Sequence, residues 1–504
     1  MATRVLFIGL DAYDKDLLLQ WAESGVLPNL GSLLQESTWG VTRNPPGLYA
    51  GSVWESFMTG VSPARHRRFF RHQARRGEYI DTRFGPEDLQ ARPFWESLSR
   101  AGRRVAILDV PHAPLSPTLN GILLVDWSTH EPSFNSAASY PPSLVSESAR
   151  QSGQPAPDRC DDMERTPAGL RAFLDSLETR IHNTLELSLQ YLRAADWDFF
   201  ATAFSAAHCV GHQCWHLHDP THPQYDASLA ACAGDPLEVI YRQLDDAVGQ
   251  LLAAVDDTTT VIVLASHGMG PFCAASVVLD DILRRLDQQP AASSGSMYGR
   301  LKHLWYRLPT RLRGAALLRA AKGRLAPSLH NLMLFPDRQA RRYFAIPNNP
   351  HAGAIRINLA GREAHGIVHP EEYRALCQQL REELLALVDP ATGARTISDV
   401  LLVADVYDGP YVDELPDLLV EWNRASSMSA IHSPRIGTLL VPELIARSGD
   451  HRPEGLFCAR GPELVPARLG RAVSVMDFAP TIAARLGVPL DGIEGRPIPE
   501  LAQR

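Results

Sequence analysis

Short apolar runs rich in β-branched and aromatic residues recur along the first half of the chain, and each ends in a polar or glycine-containing cluster. Such runs are typical of strands that are buried on both faces of a parallel sheet. The clearest are residues 5–10, 105–109, 198–204 and 260–265. Between them, residues 171–193 and 237–255 have the apolar spacing of helices. This alternation predicts an α/β fold with a mainly parallel central sheet.

A second pattern of strands and helices occupies the later part of the chain. Residues 371–388 have the spacing of a helix, and the remaining apolar runs there predict strands at 354–358, 399–407 and 417–422. We expect one domain over residues 1–504, because no internal repeat or clear linker divides the chain.

The segment from residue 290 to residue 325 does not follow this pattern of strands and helices. It contains eight arginines and lysines and no acidic residue. We expect residues 282–345 to form a basic insertion or lid. The segment could receive an anionic substrate, or residues 300–324 could touch an acidic membrane surface, which we do not favour. It could equally be a solvated helical hairpin, because charge runs usually promote solubility.

Composition narrows the class of protein. The chain has 504 residues, of which 45% are hydrophobic and 21% are charged, as is typical of globular proteins. The net charge of -8 gives no reason to expect nucleic-acid binding. Seven scattered cysteines form no disulfide framework, and no apolar stretch is long enough for a signal or a membrane span. We therefore expect a cytoplasmic protein.

Two predicted strands end at residues that can bind a metal. Asp11 follows the first strand, and His267 follows the strand at 260–265. The carboxyl ends of parallel strands meet at one edge of a sheet, where ligands bind. Asp11 alone is weak evidence, because an aspartate after a strand is as often the N-cap of the next helix.

The most distinctive local signal is a run of four histidines between residues 208 and 218. In a helix, the spacing of four would place His208, His212 and His216 on one face, as in helices that give two imidazoles to one divalent ion. A histidine-rich turn can also serve packing and hydrogen bonding. We favour metal binding, and we expect Cys209 and Cys214, which are out of phase with this face, in the core.

Several motifs together resemble a known family. They are Gly9-Leu-Asp11, Leu27-Pro-Asn-Leu30, the segment from Trp54 to His66 that contains Thr59-Gly60, Gly449-Asp-His-Arg-Pro-Glu-Gly455 and Met476-Asp-Phe-Ala-Pro-Thr481. In this order they resemble the type I phosphodiesterase and nucleotide pyrophosphatase branch of the alkaline phosphatase superfamily. The resemblance implies a three-layer α/β/α sandwich, two neighbouring divalent metals, usually zinc, and hydrolysis of phosphoesters or phosphodiesters.

The resemblance also implies a set of site residues. One metal would be bound by His208, His212 and His451, and the other by Asp11, Ser266, His267 and a nucleophile at position 50. Three of these positions depart from the family. His208 and Ser266 stand where the family has aspartate, and Ala50 stands where it has a nucleophilic hydroxyl or thiol.

The departures change the expected chemistry. Three neutral imidazoles leave the full charge on a bound zinc, which should strongly acidify a bound water. The second site has lost an anionic ligand, so we expect one firm zinc and a doubtful second metal. Ala50 has no nucleophilic group, so a zinc-bound hydroxide is the expected attacking group. Ser52 is the candidate catalytic side chain, and Tyr49 is another candidate hydroxyl.

The predicted function is therefore metal-dependent hydrolysis of a small anionic ester. Two alternatives stay open. One is a metal-dependent biosynthetic lyase, transferase or non-phosphate hydrolase on the same fold. The other is a catalytically silent descendant that binds a metabolite or a protein. Asn348, Asn349 and His351 are candidate contacts to a leaving group, although they could equally be packing residues.

Overall fold

The computed structural model describes residues 4–130, 132–134, 136–152, 163–287, 338–424, 428–442 and 447–502. The strands in these ranges are β1 (Arg4–Leu10), β2 (Thr38–Arg43), β3 (His72–Ala74), β4 (Asp81–Arg83), β5 (Val105–Leu108), β6 (Gly121–Val125), β7 (Ala138–Tyr140), β8 (Phe199–Phe204), β9 (Thr259–Ala265), β10 (Gly268–Pro271), β11 (Tyr343–Ile346), β12 (Ala352–Ile357), β13 (Ile397–Leu402), β14 (Leu418–Trp422), β15 (Ala430–Ser433), β16 (Gly437–Leu440), β17 (Gly449–Arg452), β18 (Glu454–Arg460), β19 (Ala467–Arg468) and β20 (Val473–Ser474).

The α-helices of the same ranges are α1 (Lys15–Glu23), α2 (Pro28–Gln35), α3 (Val53–Thr59), α4 (Pro63–His66), α5 (Phe94–Arg100), α6 (Leu144–Ser152), α7 (Pro167–Ala194), α8 (Ala206–His218), α9 (Ala227–Ala233), α10 (Pro236–Ala253), α11 (Leu279–Leu286), α12 (Tyr373–Leu385), α13 (Val403–Val406), α14 (Phe478–Arg485) and α15 (Pro499–Ala502). No helix of these ranges is both long and apolar enough to cross a membrane.

The central sheet has ten strands in the order β19-β2-β18-β9-β1-β8-β5-β6-β7, with β20 also paired to β2. The run β9-β1-β8-β5-β6 is parallel. Strand β18 is antiparallel to both of its neighbours, β2 and β9, and β7 is antiparallel to β6. The predicted parallel sheet is confirmed, with antiparallel strands toward both edges.

The alternation of side chains along β1 explains the layers. Leu6, Ile8 and Leu10 belong to an apolar cluster with residues of α1, α2, α7, α8 and α10. Val5 and Phe7 point the other way, into a cluster with residues of α3, α5, α14 and α15. A parallel sheet buried on both faces needs helices on both faces. The predicted three-layer α/β/α arrangement is thus confirmed.

A smaller antiparallel sheet, in the order β11-β12-β14-β13, lies in the later part of the chain and packs on α11 and α12. The strand predicted at 399–407 is only partly correct, because β13 ends at Leu402 and α13 follows. Its partner β14 begins at Leu418, opposite Leu402, so the ladder offers no further partner there. Most of the predicted insertion at 282–345 lies outside the described residues.

The topology brings four chain segments to one place. Strands β1, β8 and β9 are parallel neighbours, so their carboxyl ends share one edge of the sheet. The short strand β10, just after β9, pairs with β17 and sets Met269 opposite His451. Residues that are distant in sequence therefore meet at this edge.

Candidate metal centre

Asp11 lies at the end of β1 and is surrounded by donors. The indole Nε1 of Trp54 donates to its Oδ1 over 2.8 Å, and the hydroxyl of Ser266 donates to the same oxygen over 3.2 Å. His208 Nδ1 lies 2.6 Å from Oδ2. Trp54 comes this close because Gly9 has no side chain, since a Cβ there would lie 2.6 Å from the indole Cη2. Burial would raise the pKa of Asp11, but His208 and the other donors hold it well below its usual range.

His208 and His212 lie one turn apart on α8. The Nδ1 of His212 is 2.8 Å from the carbonyl oxygen of Gly449, which can only accept, so Nδ1 carries the proton. The Nδ1 of His208 faces the carboxylate of Asp11 in the same way. The two Nε2 atoms therefore turn toward each other, 3.0 Å apart. Two nitrogen lone pairs at this distance need a shared proton or a metal ion between them.

His451 is held by a relay that starts at Asp11. The hydroxyl of Ser266 donates to Asp11 and therefore accepts from His267 Nδ1, which lies 3.0 Å away. The Nε2 of His267 is then a lone pair, 2.9 Å from Nδ1 of His451. This order places the proton of His451 on Nδ1 and leaves its Nε2 as a lone pair.

The donor atoms converge. One ligand atom each from His208, His212 and His451 lies within 4.8 Å of the others, and Asp11, His208 and His267 form a second such group. All of these side chains are buried. Imidazoles whose second ring nitrogen is hydrogen-bonded are a donor set that suits zinc. The residues present thus fit the metal that the sequence resemblance implies, and the two groups share His208.

The electrostatics keep most of these imidazoles neutral. Burial lowers the pKa of His212 and of His451 well below the usual 6.5, with further lowering by Arg447 for His212 and by the surrounding histidines for His451. Burial also lowers the pKa of His267, to about 4. His208 differs, because the nearby Asp11 carboxylate outweighs burial and raises its pKa. Neutral imidazoles have free lone pairs for a cation.

Comparison with known proteins identifies the family. A model of the type I phosphodiesterase / nucleotide pyrophosphatase family matches residues 5–429. The chain belongs to this family. It is therefore a hydrolytic enzyme of a metal-dependent group that acts on small anionic substrates such as phosphodiesters.

Solved structures show the same fold. Phosphonoacetate hydrolase from Sinorhizobium meliloti 1021 in complex with phosphonoformate aligns with a TM-score of 0.53 and 14% identity, over 97% of this chain and 96% of that chain. The same enzyme with phosphonoacetate gives a TM-score of 0.52 and 13% identity over the same shares. Both place the fold among alkaline phosphatase-like structures. A comparison with curated proteins finds no match.

This phosphodiesterase family member has no nucleophile at position 50. Ala50 lies in the single turn Tyr49–Gly51, ahead of α3. The hydroxyl of Ser52 is fully buried and donates to the Leu48 carbonyl over 2.8 Å, and within the described residues it makes no hydrogen bond to a histidine. Tyr49 lies nearer the centre, since its hydroxyl donates to the His451 carbonyl over 3.2 Å. Burial raises the pKa of Tyr49 well above 10, so its hydroxyl stays protonated.

The expectation that His216 shares a face with the other two histidines is wrong. Eight helical residues rotate the side chain by about 80° beyond two full turns. His216 therefore leaves the centre, and its Nδ1 lies 2.9 Å from the Ser448 hydroxyl. His218 pairs with Asp235 instead.

Several residues of the centre have no recognisable sequence signal. The ring of His130 lies 4.1 Å from that of His208. Two half-buried arginines also lie close. Arg447 Nη1 is 3.4 Å from His212 Nε2, and Arg424 donates to the carbonyl of His451. They lie in irregular segments outside the motifs and predicted elements, so only the folded chain identifies them.

Proposed function

We propose that the protein hydrolyses a phosphoester, phosphodiester or related anionic ester, using one zinc ion bound by His208, His212 and His451. The observation that carries the proposal is the anchoring of the three rings. Each Nδ1 is occupied, by Asp11, by the Gly449 carbonyl and by His267, so the three Nε2 lone pairs remain for one ion. Arg447 also approaches them, with its Nη1 at 3.4 Å from His212 Nε2, and the ion would take its place. A bound zinc supplies Lewis acidity, which polarises the phosphoryl group and lowers the pKa of a coordinated water.

The residues of the family's second site take a supporting role in this proposal. Asp11 already accepts from three donors, and Ser266 brings a neutral hydroxyl in place of a carboxylate. The Nε2 of His267 accepts a hydrogen bond from Nδ1 of His451. Asp11, Ser266 and His267 thus orient the ligands of a single zinc, as outer partners of metal-binding histidines do.

Water, and not a side chain, is the attacking group in this proposal. Ala50 cannot attack, the Ser52 hydroxyl is directed to Leu48, and the Tyr49 hydroxyl is protonated and directed to His451. We therefore do not assign the attack to Ser52.

Arg424 and Arg447 supply the positive charge that an anionic ester needs. Both guanidinium groups lie beside zinc-binding histidines. Arginine presents paired donors that match phosphate oxygens, and it stays charged at any pH of interest. A guanidinium group so close to a bound zinc is repelled by it, unless an anionic substrate group lies between the two positive charges.

Metal content tests the proposal. Elemental analysis of purified protein is expected to give about one zinc per chain for the wild type, and little for His212→Ala. His365→Ala, which removes an exposed histidine away from the centre, is the control and should keep its zinc. Two zinc ions in the wild type would contradict the single-metal site. No metal, even after expression with added zinc, would favour a catalytically silent binding protein.

Stereochemistry tests the attacking group. Direct attack by water predicts inversion at the phosphorus of a chiral phosphorothioate ester. Retention would reveal a covalent intermediate and would point back to Tyr49 or Ser52. Bound zinc without hydrolysis of any phosphate ester would instead favour a lyase, a transferase or a hydrolase of other esters.

A further inference from the structure

The loop that connects β11 to β12 carries polar side chains without partners. We call Asn348, Asn349 and His351 the asparagine–histidine loop. His351 is only 3% exposed, and neither of its ring nitrogens has a hydrogen-bond partner. Buried polar groups in native proteins are nearly always hydrogen-bonded. Both nitrogens therefore lack the partner that their burial calls for.

His351 lies beside the metal centre. Its ring stacks on Tyr49, with centroids 4.1 Å apart and an interplanar angle of 29°. The ring of His451 is 6.4 Å away and nearly perpendicular. Tyr49 also hydrogen-bonds to the His451 carbonyl, so it connects the loop to a proposed zinc ligand. A molecule bound at His351 would thus be within a short distance of the zinc.

The two asparagines add further unpaired atoms. The amide nitrogen of Asn348 donates to the carbonyls of Gly47 and Ala352, over 2.9 and 2.8 Å. These two bonds fix which end of the amide is nitrogen, and they leave its Oδ1 buried and unpaired. The Nδ2 of Asn349 is also buried and unpaired. With the imidazole, the loop offers both donors and acceptors.

Packing alone does not explain these side chains. The face of the Tyr49 ring could be covered by any flat apolar residue, and burying an unpaired polar group is unfavourable. The loop itself carries no charged side chain. Arg424 donates to the His451 carbonyl and, over 3.5 Å, to the hydroxyl of Tyr49, on which His351 stacks. The unpaired groups of the loop are therefore neutral donors and acceptors beside the charged groups of the metal centre.

We propose that the asparagine–histidine loop binds the leaving group of the substrate, and that this group carries hydroxyl or amide functions, as sugars, polyols and nucleobases do. Such groups match a mixture of donors and acceptors, whereas a plain aryl or alkyl group leaves them unpaired. The proposal rests on the proposed function, because it takes the phosphoryl group to lie at the zinc.

A panel of monoesters with one phosphoryl group tests this. Glycerol 2-phosphate, glucose 6-phosphate and uridine 5′-monophosphate carry polar leaving groups, and propyl phosphate, an alkyl ester of similar intrinsic reactivity, does not. At least one polar ester should exceed propyl phosphate in kcat/KM by about tenfold or more, the size of one good hydrogen bond. His351→Phe should abolish this preference by lowering kcat/KM for the polar esters more than for propyl phosphate. His351→Gln should restore part of the preference.

Two controls keep the test decisive. Zinc content must be unchanged in both His351 variants, and His365→Ala must behave as wild type. Equal loss on all four esters in His351→Phe, or a wild type that shows no preference, would overturn the proposal.

Calorimetric binding separates this proposal from the hydrolase proposal. If the zinc-loaded wild type hydrolyses none of the esters but binds a polar one more tightly than propyl phosphate, and His351→Phe removes the difference, then the subsite stands and the hydrolase proposal fails. If hydrolysis occurs but His351→Phe leaves the preference unchanged, then the subsite fails and the hydrolase proposal stands.

Discussion

Asp11 accepts hydrogen bonds from His208, Trp54 and Ser266. The family resemblance implies that the corresponding aspartate of a two-metal site binds a metal. Here the donors occupy its oxygens, and in the single-zinc proposal the side chain orients His208. A carboxylate behind a metal-binding histidine raises the basicity of the imidazole and fixes its ring.

Asp11→Asn tests this orienting role. The amide oxygen still accepts from His208, but the negative charge is lost, so zinc affinity should fall by about 10- to 100-fold with the stoichiometry still near one. Titration of the metal-free protein with zinc against a chelator measures both quantities. A fall from two zinc ions to one would show that Asp11 is a ligand of a second ion.

Ser266→Asp tests the proposal that the protein binds a single zinc. The substitution returns the carboxylate that the family has at this position, next to Asp11 and His267. Two carboxylates so close repel each other unless a cation lies between them. The variant should therefore bind a second zinc, and more tightly when combined with Ala50→Thr. Ser266→Asn has the same size without the charge and should bind one zinc. Equal stoichiometry in both variants would contradict this account.

Helix α8 and strand β17 touch through glycines, and this contact aligns the histidines. A Cβ at Gly449 would lie 2.1 Å from the carbonyl oxygen of Gly211. The close approach lets the Gly449 carbonyl reach His212 Nδ1 and sets His451 two residues further on. The helix supplies two proposed ligands and the strand supplies the third.

Gly449→Ala should separate the helix from the strand. The clash with backbone cannot be relieved by a side-chain rotation, so the variant should lose about 1–3 kcal/mol of unfolding free energy and also zinc affinity. Denaturant unfolding and zinc titration measure the two effects. Gly470→Ala is the matched control, because a Cβ there meets nothing within 4 Å. A Gly449→Ala protein with wild-type zinc affinity would refute the alignment argument.

Stability of the whole molecule depends on a buried charge cluster away from the centre. Glu55 on α3 is 1% exposed and lies 3.0 Å from both Arg68 Nε and His112 Nδ1. Burial would raise its pKa, but these two partners lower it from 4.5 to about 2. Between about pH 2 and pH 4.5, the Glu55 carboxylate is therefore mostly ionised in the folded state and mostly protonated in the unfolded chain.

The cluster predicts a specific loss of stability in acid. Its contribution should be complete above pH 4.5 and should disappear as the pH falls from 4.5 toward about 2. Glu55→Gln should flatten the dependence of the unfolding free energy on pH in this window, and should cost about 3–5 kcal/mol at pH 7 by leaving Arg68 unpaired. Glu371→Gln, at an exposed position, is the control. An unchanged acid profile would contradict the prediction.

The large-scale architecture could be predicted from sequence because local patterns encode it. Strands β1, β5, β8 and β9 are continuous apolar runs, as burial on both faces requires. Helices α7 and α10 have clear amphipathic spacing. The end of β13 could not be predicted from the local sequence, because it depends on where its partner β14 begins, 16 residues later.

The site was predictable only where a motif or a strand end marks it. Asp11, His208, His212, Ser266, His267 and His451 do come together, and their metal-binding roles stay a prediction. The relay from Asp11 through Ser266 and His267 to His451 depends on which ring nitrogen faces which neighbour, and only the fold decides that. Arg424, Arg447 and the partnerless state of His351 likewise arise from tertiary packing.

The sheet edge where the centre lies joins segments from opposite ends of the chain. His208 meets Asp11 across 197 residues, and His267 meets His451 across 184. A metal ion bound there would cross-link segments that are separated by very long loops. Closing such loops costs conformational entropy, which only the contacts of a nearly complete fold offset. Metal binding should therefore be among the last events of folding, because a chain in which β17 has not yet formed lacks the third proposed ligand, His451.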